Sequence, residues 1–264
     1  MAELRAADDA HTADWVVLGV RKKGSDGTVG SLVPAVFERY ARVLHPAYRD
    51  ETTEVRWAEV ASANRGVMHP AAEWGSLTGS WKLDRQADLW DRQPCIGRLP
   101  ERLAERLAET LALHTRDPDR CNFGVWEGWG EPMLMFLFKK GTPDEAQRRA
   151  REQADAQIAA WGTLLDHAPK FLLPHRKMHL LEGPLRSIRE FYERYRNPPS
   201  IWWPEDRDWC VATDIDLMST YVGGNHDAIQ ALLDDEQIEA PAVAVDQSIA
   251  WEADSVNPLP LPPF

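Results

Sequence analysis

Apolar and polar positions alternate along this chain with no single period, so both strands and helices are predicted in mixed order. Residues 15–20 (WVVLGV) read as a first strand, ended by the polar, glycine-containing stretch 22–30. Residues 40–45 (YARVLH) read as a second strand stopped by Pro46, with a short helix from Ala35 as the competing assignment. Residues 55–64 place Trp57, Val60 and Ala61 on one helical face, with Gly66 positioned to end the helix. The spacing of Leu103, Leu107 and Leu111 predicts an amphipathic helix over 100–114. Between these two helices, residues 67–98 show little periodicity and scatter Trp74, Trp81 and Trp90 among polar residues; a long irregular loop is expected there.

The second half is richer in local signals. Residues 121–126 and 133–138 are apolar runs joined by the glycine-rich turn Glu127-Gly128-Trp129-Gly130-Glu131-Pro132, a predicted hairpin. Thr142-Pro143-Asp144-Glu145 forms a capping box that opens a helix over 143–165. Its first three turns offer only Ala146, Ala150 and Ala154 as an apolar stripe. That half is expected to protrude and is a candidate homodimer contact, while Ile158, Trp161 and Leu165 anchor the rest. A short strand over 178–181 and a helix over 184–195 follow. Residues 209–217 (WCVATDIDL) read as a central strand, Asn225 caps a helix to Leu233, and the proline-rich tail 257–264 is expected to be extended. This order of elements, without repeats or a clear linker, predicts a single α+β domain over 1–264: a mostly antiparallel sheet with helices packed on one side.

Charge and composition narrow the function classes. The net charge of −12 and the lack of a basic stripe argue against nucleic acid. No run approaches the length of a membrane span, and residues 1–14 lack the apolar core of a secretory signal, so a cytoplasmic protein with no membrane partner is expected. Cys95, Cys121 and Cys210 are odd in number and widely spaced, which disfavours a disulfide framework or a zinc site; Cys121 and Cys210 read as apolar fillers. There is no GxGxxG, no GxxxxGK[ST], no HExxH and no GxSxG, and no cofactor is implied.

Two kinds of position carry candidate chemistry. In the strand 209–217, Asp214 and Asp216 fall on one face, about 7 Å apart by strand spacing. Such a pair suits a divalent metal or acid–base work. Aromatic residues beside carboxylates recur in Trp126-Glu127-Gly128-Trp129 and in Trp202-Trp203-Pro204-Glu205-Asp206. Exposed indoles next to acids suit a sugar, a cationic ligand or a partner's arginine, so Glu127, Trp129, Trp202, Trp203 and Asp206 are candidate contacts for a protein partner or small ligand. His175 and His179 have i, i+4 spacing, but Pro174 and the strand-like residues after it separate them. His45 and His69, each before a proline, read as turn or capping residues. Gly223-Gly224-Asn225 reads as a helix cap rather than an anion site.

The segments SLVPAVFERYARVLHPAYR (31–49), VRWAEVA (55–61), CNFGVWEGWG (121–130) and WWPEDRDWCVATDIDLMSTYVGG (202–224) resemble a group of uncharacterised actinobacterial proteins. The resemblance covers most of the chain outside the tails and the helix 143–165, and it implies no activity. The reading that results is a non-catalytic binding protein using aromatic–acidic turns. The alternative is a metal-assisted transferase or hydrolase centred on Asp214 and Asp216, with Glu127, Glu182 or His226 completing the site.

Overall fold

A nine-stranded antiparallel sheet organises the computed structural model, which describes residues 3–20, 27–50, 52–129, 145–194 and 198–261. In chain order its strands are β1 (Arg5–Ala6), β2 (Arg39–Leu44), β5 (Cys121–Trp126), β6 (Lys170–Leu173), β7 (Arg176–Gly183), β8 (Ile201–Pro204), β9 (Trp209–Thr213), β10 (Ser219–Gly224) and β11 (Ala242–Val243). The short pair β3 (Ala47–Arg49) and β4 (Thr53–Val55) stands apart. Across the main sheet the order is β1-β7-β5-β8-β9-β10-β2-β11, with β6 also paired to β7. The helices are α1 (Asp14–Gly19), α2 (Trp57–Asn64), α3 (Trp74–Thr78), α4 (Glu101–Leu111), α5 (Glu145–His167), α6 (Ile188–Glu193) and α7 (His226–Leu233).

The period of two divides each strand between two cores. On β2, Ala41 and Val43 join Phe123, Trp202, Val211 and Val222 in a core closed by α4, α5, α6 and α7. This is the expected α+β arrangement with a mostly antiparallel sheet, although α1 packs on the opposite face from α4–α7. Tyr40 turns to the other face, where Trp203, Cys210 and Tyr221 pack under the N-terminal residues Ala13, Val16 and Val33. A third core lies beyond the end of β2, where Leu44 meets Trp57, Trp74 and Trp90.

Several elements stand as read and others do not. The helices expected at 55–64 and 100–114 appear as α2 and α4, with Leu103, Leu107 and Leu111 buried. Arg65, not Gly66, takes the left-handed position that ends α2, at φ 60°. The expected first strand, 15–20, is the helix α1. Ala13, Val16 and Val20 are buried at helical spacing while Leu18 is 85% exposed, so the run of apolar residues concealed a period of 3.6 rather than 2. Within 67–98 the chain forms the short helix α3 and otherwise irregular structure held by buried indoles. The second strand of the expected hairpin, 133–138, and the capping box at 142–145 fall on or against residues outside those described, though both edges of β5 are occupied by β7 and β8. In α5, Ala150 is exposed, whereas Ala154 and Trp161 are buried.

Candidate functional site

The central strand expected over 209–217 ends four residues early. β9 stops at Thr213, and residues 214–218 turn the chain into β10. Asp214 caps this turn, its Oδ1 accepting the Asp216 N–H at 3.1 Å and its backbone carbonyl the Leu217 N–H at 3.2 Å. The turn is pressed against the loop that precedes α4. Gly97 donates its N–H to Leu217 at 2.8 Å, sits at φ +75°, and has the Ile215 carbonyl where a Cβ would project. Only glycine combines that dihedral with that approach.

The two aspartates therefore do not share a strand face. Asp214 is 11% exposed and Asp216 72% exposed, and both look toward the same guanidinium. Arg176 Nη2 lies 3.3 Å from Asp214 Oδ2 and 3.7 Å from Asp216 Oδ2. The residues named to complete a metal site do not converge on them. Glu127 pairs with Lys170 at 2.6 Å, Glu182 pairs with Arg5, and His226 opens α7. Among the described residues no group of three or more His, Cys, Asp or Glu side chains is arranged to hold a metal ion.

The aromatic–acidic turns also resolve differently from expectation. Trp202 and Trp203 are each 1% exposed: they are consecutive strand residues, so one indole enters each core. Neither lines a groove. Asp206 is a structural carboxylate, accepting from Thr115 Oγ1 and the Arg116 N–H at 2.8 Å each. Trp129 is half-buried, edge-on to Trp126 at 5.8 Å, with its Nε1 donating to Ser200 Oγ at 3.3 Å. Glu127 is exposed, and the hydrogen bond from Lys170 holds its carboxyl below the usual carboxylate range. His175 occupies the β6–β7 turn at φ 61°, while His179 is buried on β7 and meets the Leu165 carbonyl at 2.9 Å, so the pair is not a ligand set.

What the fold does bring together is a cleft of about 470 Å³ at the end of the sheet, beside the 214–218 turn. Arg42 and Glu73 line it together with Asp214, Asp216 and the indoles of Trp81 and Trp251. The two indoles stand at right angles, 6.0 Å between centroids, and Trp81 packs directly over Gly75 of α3. Leu217, Met218 and Ile249 add an apolar surface.

Arg42 and Glu73 form a buried ion pair at 2.8 Å, their side chains 5% and 13% exposed. Arg42 reaches Glu73 from the middle of β2, opposite Tyr221 in register. Three more of its five N–H groups donate to Ser219 Oγ and to the Pro70 and Ala72 carbonyls, and its guanidinium lies over Trp57 at 5.4 Å. Four hydrogen bonds and a ring face offset the desolvation of the guanidinium. Glu73 is less well served. Its backbone N–H donates to Asp254 Oδ2 at 3.1 Å, and one carboxylate oxygen accepts from Arg42. Burial pushes its carboxyl up to about 7; the attraction of Arg42 works against that rise and Asp254 adds to it. Asp254, fully buried, behaves oppositely. Burial raises it, but hydrogen bonds from Asn257, the Glu73 N–H and His69 outweigh burial and hold it below the usual range.

Arg42, Glu73, Trp81 and Trp251 were not among the candidates read from sequence. Arg42 left a trace: in YARVLH it is the one charged residue, placed on the alternation between Tyr40 and Leu44, both of which are buried. A buried arginine requires a buried partner. The partner, 31 residues on in the irregular segment, carried no periodic signal. No protein-family model, curated protein or solved structure matches this chain.

Proposed function

We propose that this protein binds a small molecule in the cleft between Trp81, Trp251 and the 214–218 turn. The observation that carries the reading is the composition of that cleft: two indoles, one buried ion pair and two rim carboxylates around about 470 Å³. Ligand sites typically span roughly 300–1,000 Å³, with apolar and aromatic walls and a few convergent polar groups. A carboxyl displaced by burial inside a cleft is a further mark of such sites. This keeps the aromatic–acidic chemistry expected from sequence but moves it to other residues. The metal-assisted alternative has less support, because Arg176 already supplies the cation between Asp214 and Asp216.

The test is thermal melting against a panel of small amines, sugars, amino acids and nucleosides, on the wild type and on Ala250→Trp, which fills the cleft from its rim. A ligand that binds only the folded state at 100 times its Kd stabilises by about 2.7 kcal/mol. At least one class is expected to raise the wild-type midpoint and to leave Ala250→Trp unmoved. Equal shifts in both proteins, or none in either, would overturn the reading.

A further inference from the structure

Resting on that reading, we propose that the ligand is an organic cation: an ammonium or amidinium group on an apolar body, with the charged head against Glu73 and the body against Trp81 and Trp251. Three independent features converge on this. First, among the described residues the cleft is lined by three carboxylates, Glu73, Asp214 and Asp216, against one lining cation, Arg42, while Arg176 pairs with the two aspartates from beside the cleft. Arg42 offers an anionic ligand little, because Ser219, Pro70, Ala72 and Glu73 already take four of its five N–H donors. Second, only the Arg42 Nη2–H reaches the Glu73 carboxylate among described donors, so the acceptor capacity it turns to the cleft is unused. Third, the Trp81 and Trp251 indoles form an aromatic wall of ring faces and edges. The two indoles meet edge to face. Ring faces attract cations through their quadrupole.

The carboxyl of Glu73 gives the proposal a pH signature. It is faced by Arg42 and Tyr221 from the sheet and by Asp254 from the C-terminal segment, with His69 behind Asp254. Burial raises the Glu73 carboxyl to about 7, so it changes charge near neutrality. A cation therefore binds more tightly as pH rises through that range, and each bound cation releases a proton wherever Glu73 is still protonated.

The experiment is a calorimetric titration of three probes of one shape: phenethylammonium, 2-phenylethanol and phenylacetate. At pH 8, phenethylammonium is expected to bind at least about tenfold more tightly than the alcohol, as a charge-assisted hydrogen bond provides, and phenylacetate not at all. Its affinity is expected to fall between pH 8 and pH 6 in the wild type and to be flat and weak in Glu73→Gln. Asp216→Asn, on an exposed side chain that leaves the core intact, is expected to weaken it by about twofold to threefold. Equal binding of the amine and the alcohol, or tighter binding of the acid, would overturn the proposal. If a neutral sugar from the melting panel binds in a manner blocked by Ala250→Trp while the amine does not, the cleft remains a binding site and only the cationic assignment fails.

Discussion

Trp202-Trp203 and Trp81–Trp251 are both pairs of indoles close to acids, and the fold treats them in opposite ways. The first pair is consecutive in a strand, so the pleat sends Trp202 to the helix-covered core and Trp203 to the other, each 1% exposed. Asp206, beside them in sequence, is spent on Thr115 and the Arg116 N–H. The second pair is separated by 170 residues and meets only because the segments around α3 and residues 249–251 close over one end of the sheet. Of its acids, Glu73 opens α3 in the same segment as Trp81, while Asp214 and Asp216 come from the turn after β9. Adjacency in sequence gave a structural motif, and adjacency in space gave the cleft.

The largest expected contrast is in stability. Trp203→Ala removes a buried indole with edge contacts to Trp15 and Phe171 at 6.0 and 6.1 Å, and should cost about 3–5 kcal/mol in denaturant unfolding. Trp251→Ala, from the wall of the cleft, should cost only about 1 kcal/mol. Similar losses from the two would erase the distinction between core and cleft.

A second contrast lies in two buried titratable groups, His45 just past β2 and Glu73 at the start of α3. His45 is enclosed, with Nδ1 at the Cys95 carbonyl (2.7 Å) and Nε2 at Thr220 Oγ1 (2.9 Å), and Thr220 in turn meets Thr213 at 2.7 Å. Burial lowers its imidazole from 6.5 to about 4, against the pull of the Cys95 carbonyl. The unfolded chain binds that proton more readily, so the stability from neutral His45 is full above pH 6.5 and lost as pH falls toward 4. Glu73 runs the other way. Raised from 4.5 to about 7, it favours the folded state while protonated, and that contribution is lost as pH rises from 4.5 through 7. Each amounts to about 3 kcal/mol over its whole window, and they oppose between pH 4.5 and 6.5. Wild-type stability should therefore change little over that interval. Glu73→Gln should lose stability steadily as pH drops through it, whereas His45→Gln should lose stability as pH rises toward 7. Parallel pH profiles for the two variants would contradict the assignment.

The smallest contrast is between the aspartates. Asp206→Ala leaves the Thr115 hydroxyl and the Arg116 N–H without their acceptor and should cost about 1–3 kcal/mol. Asp216→Ala, at 72% exposure, should change stability by less than about 0.5 kcal/mol. Chemical denaturation of both variants distinguishes them.

These differences also mark what the sequence could and could not convey. Elements with one dominant period were legible: α4 through its leucines, β2 and β5 through their apolar runs, α7 through the Asn225 cap, whose Oδ1 accepts from the Ala228 N–H at 2.9 Å. Runs without polar punctuation were not, and residues 15–20 became α1 because a strand and a helix bury such a run equally well. The length of β9 was over-read because Asp214 and Asp216 keep the alternation of a strand, while the Asx cap at Asp214 turns the chain. The cleft was the least legible feature. Only its two rim aspartates carry a local pattern, and the ion pair and indoles depend on contacts across 31 and 170 residues that no such pattern encodes.

The most direct measurement is the titration of phenethylammonium into wild type and Ala250→Trp at pH 8. Saturable binding to the wild type, lost when the tryptophan fills the cleft, is the expected result. Binding of equal strength to both proteins would show that the cleft beside Glu73, Trp81 and Trp251 is not where this protein takes its ligand.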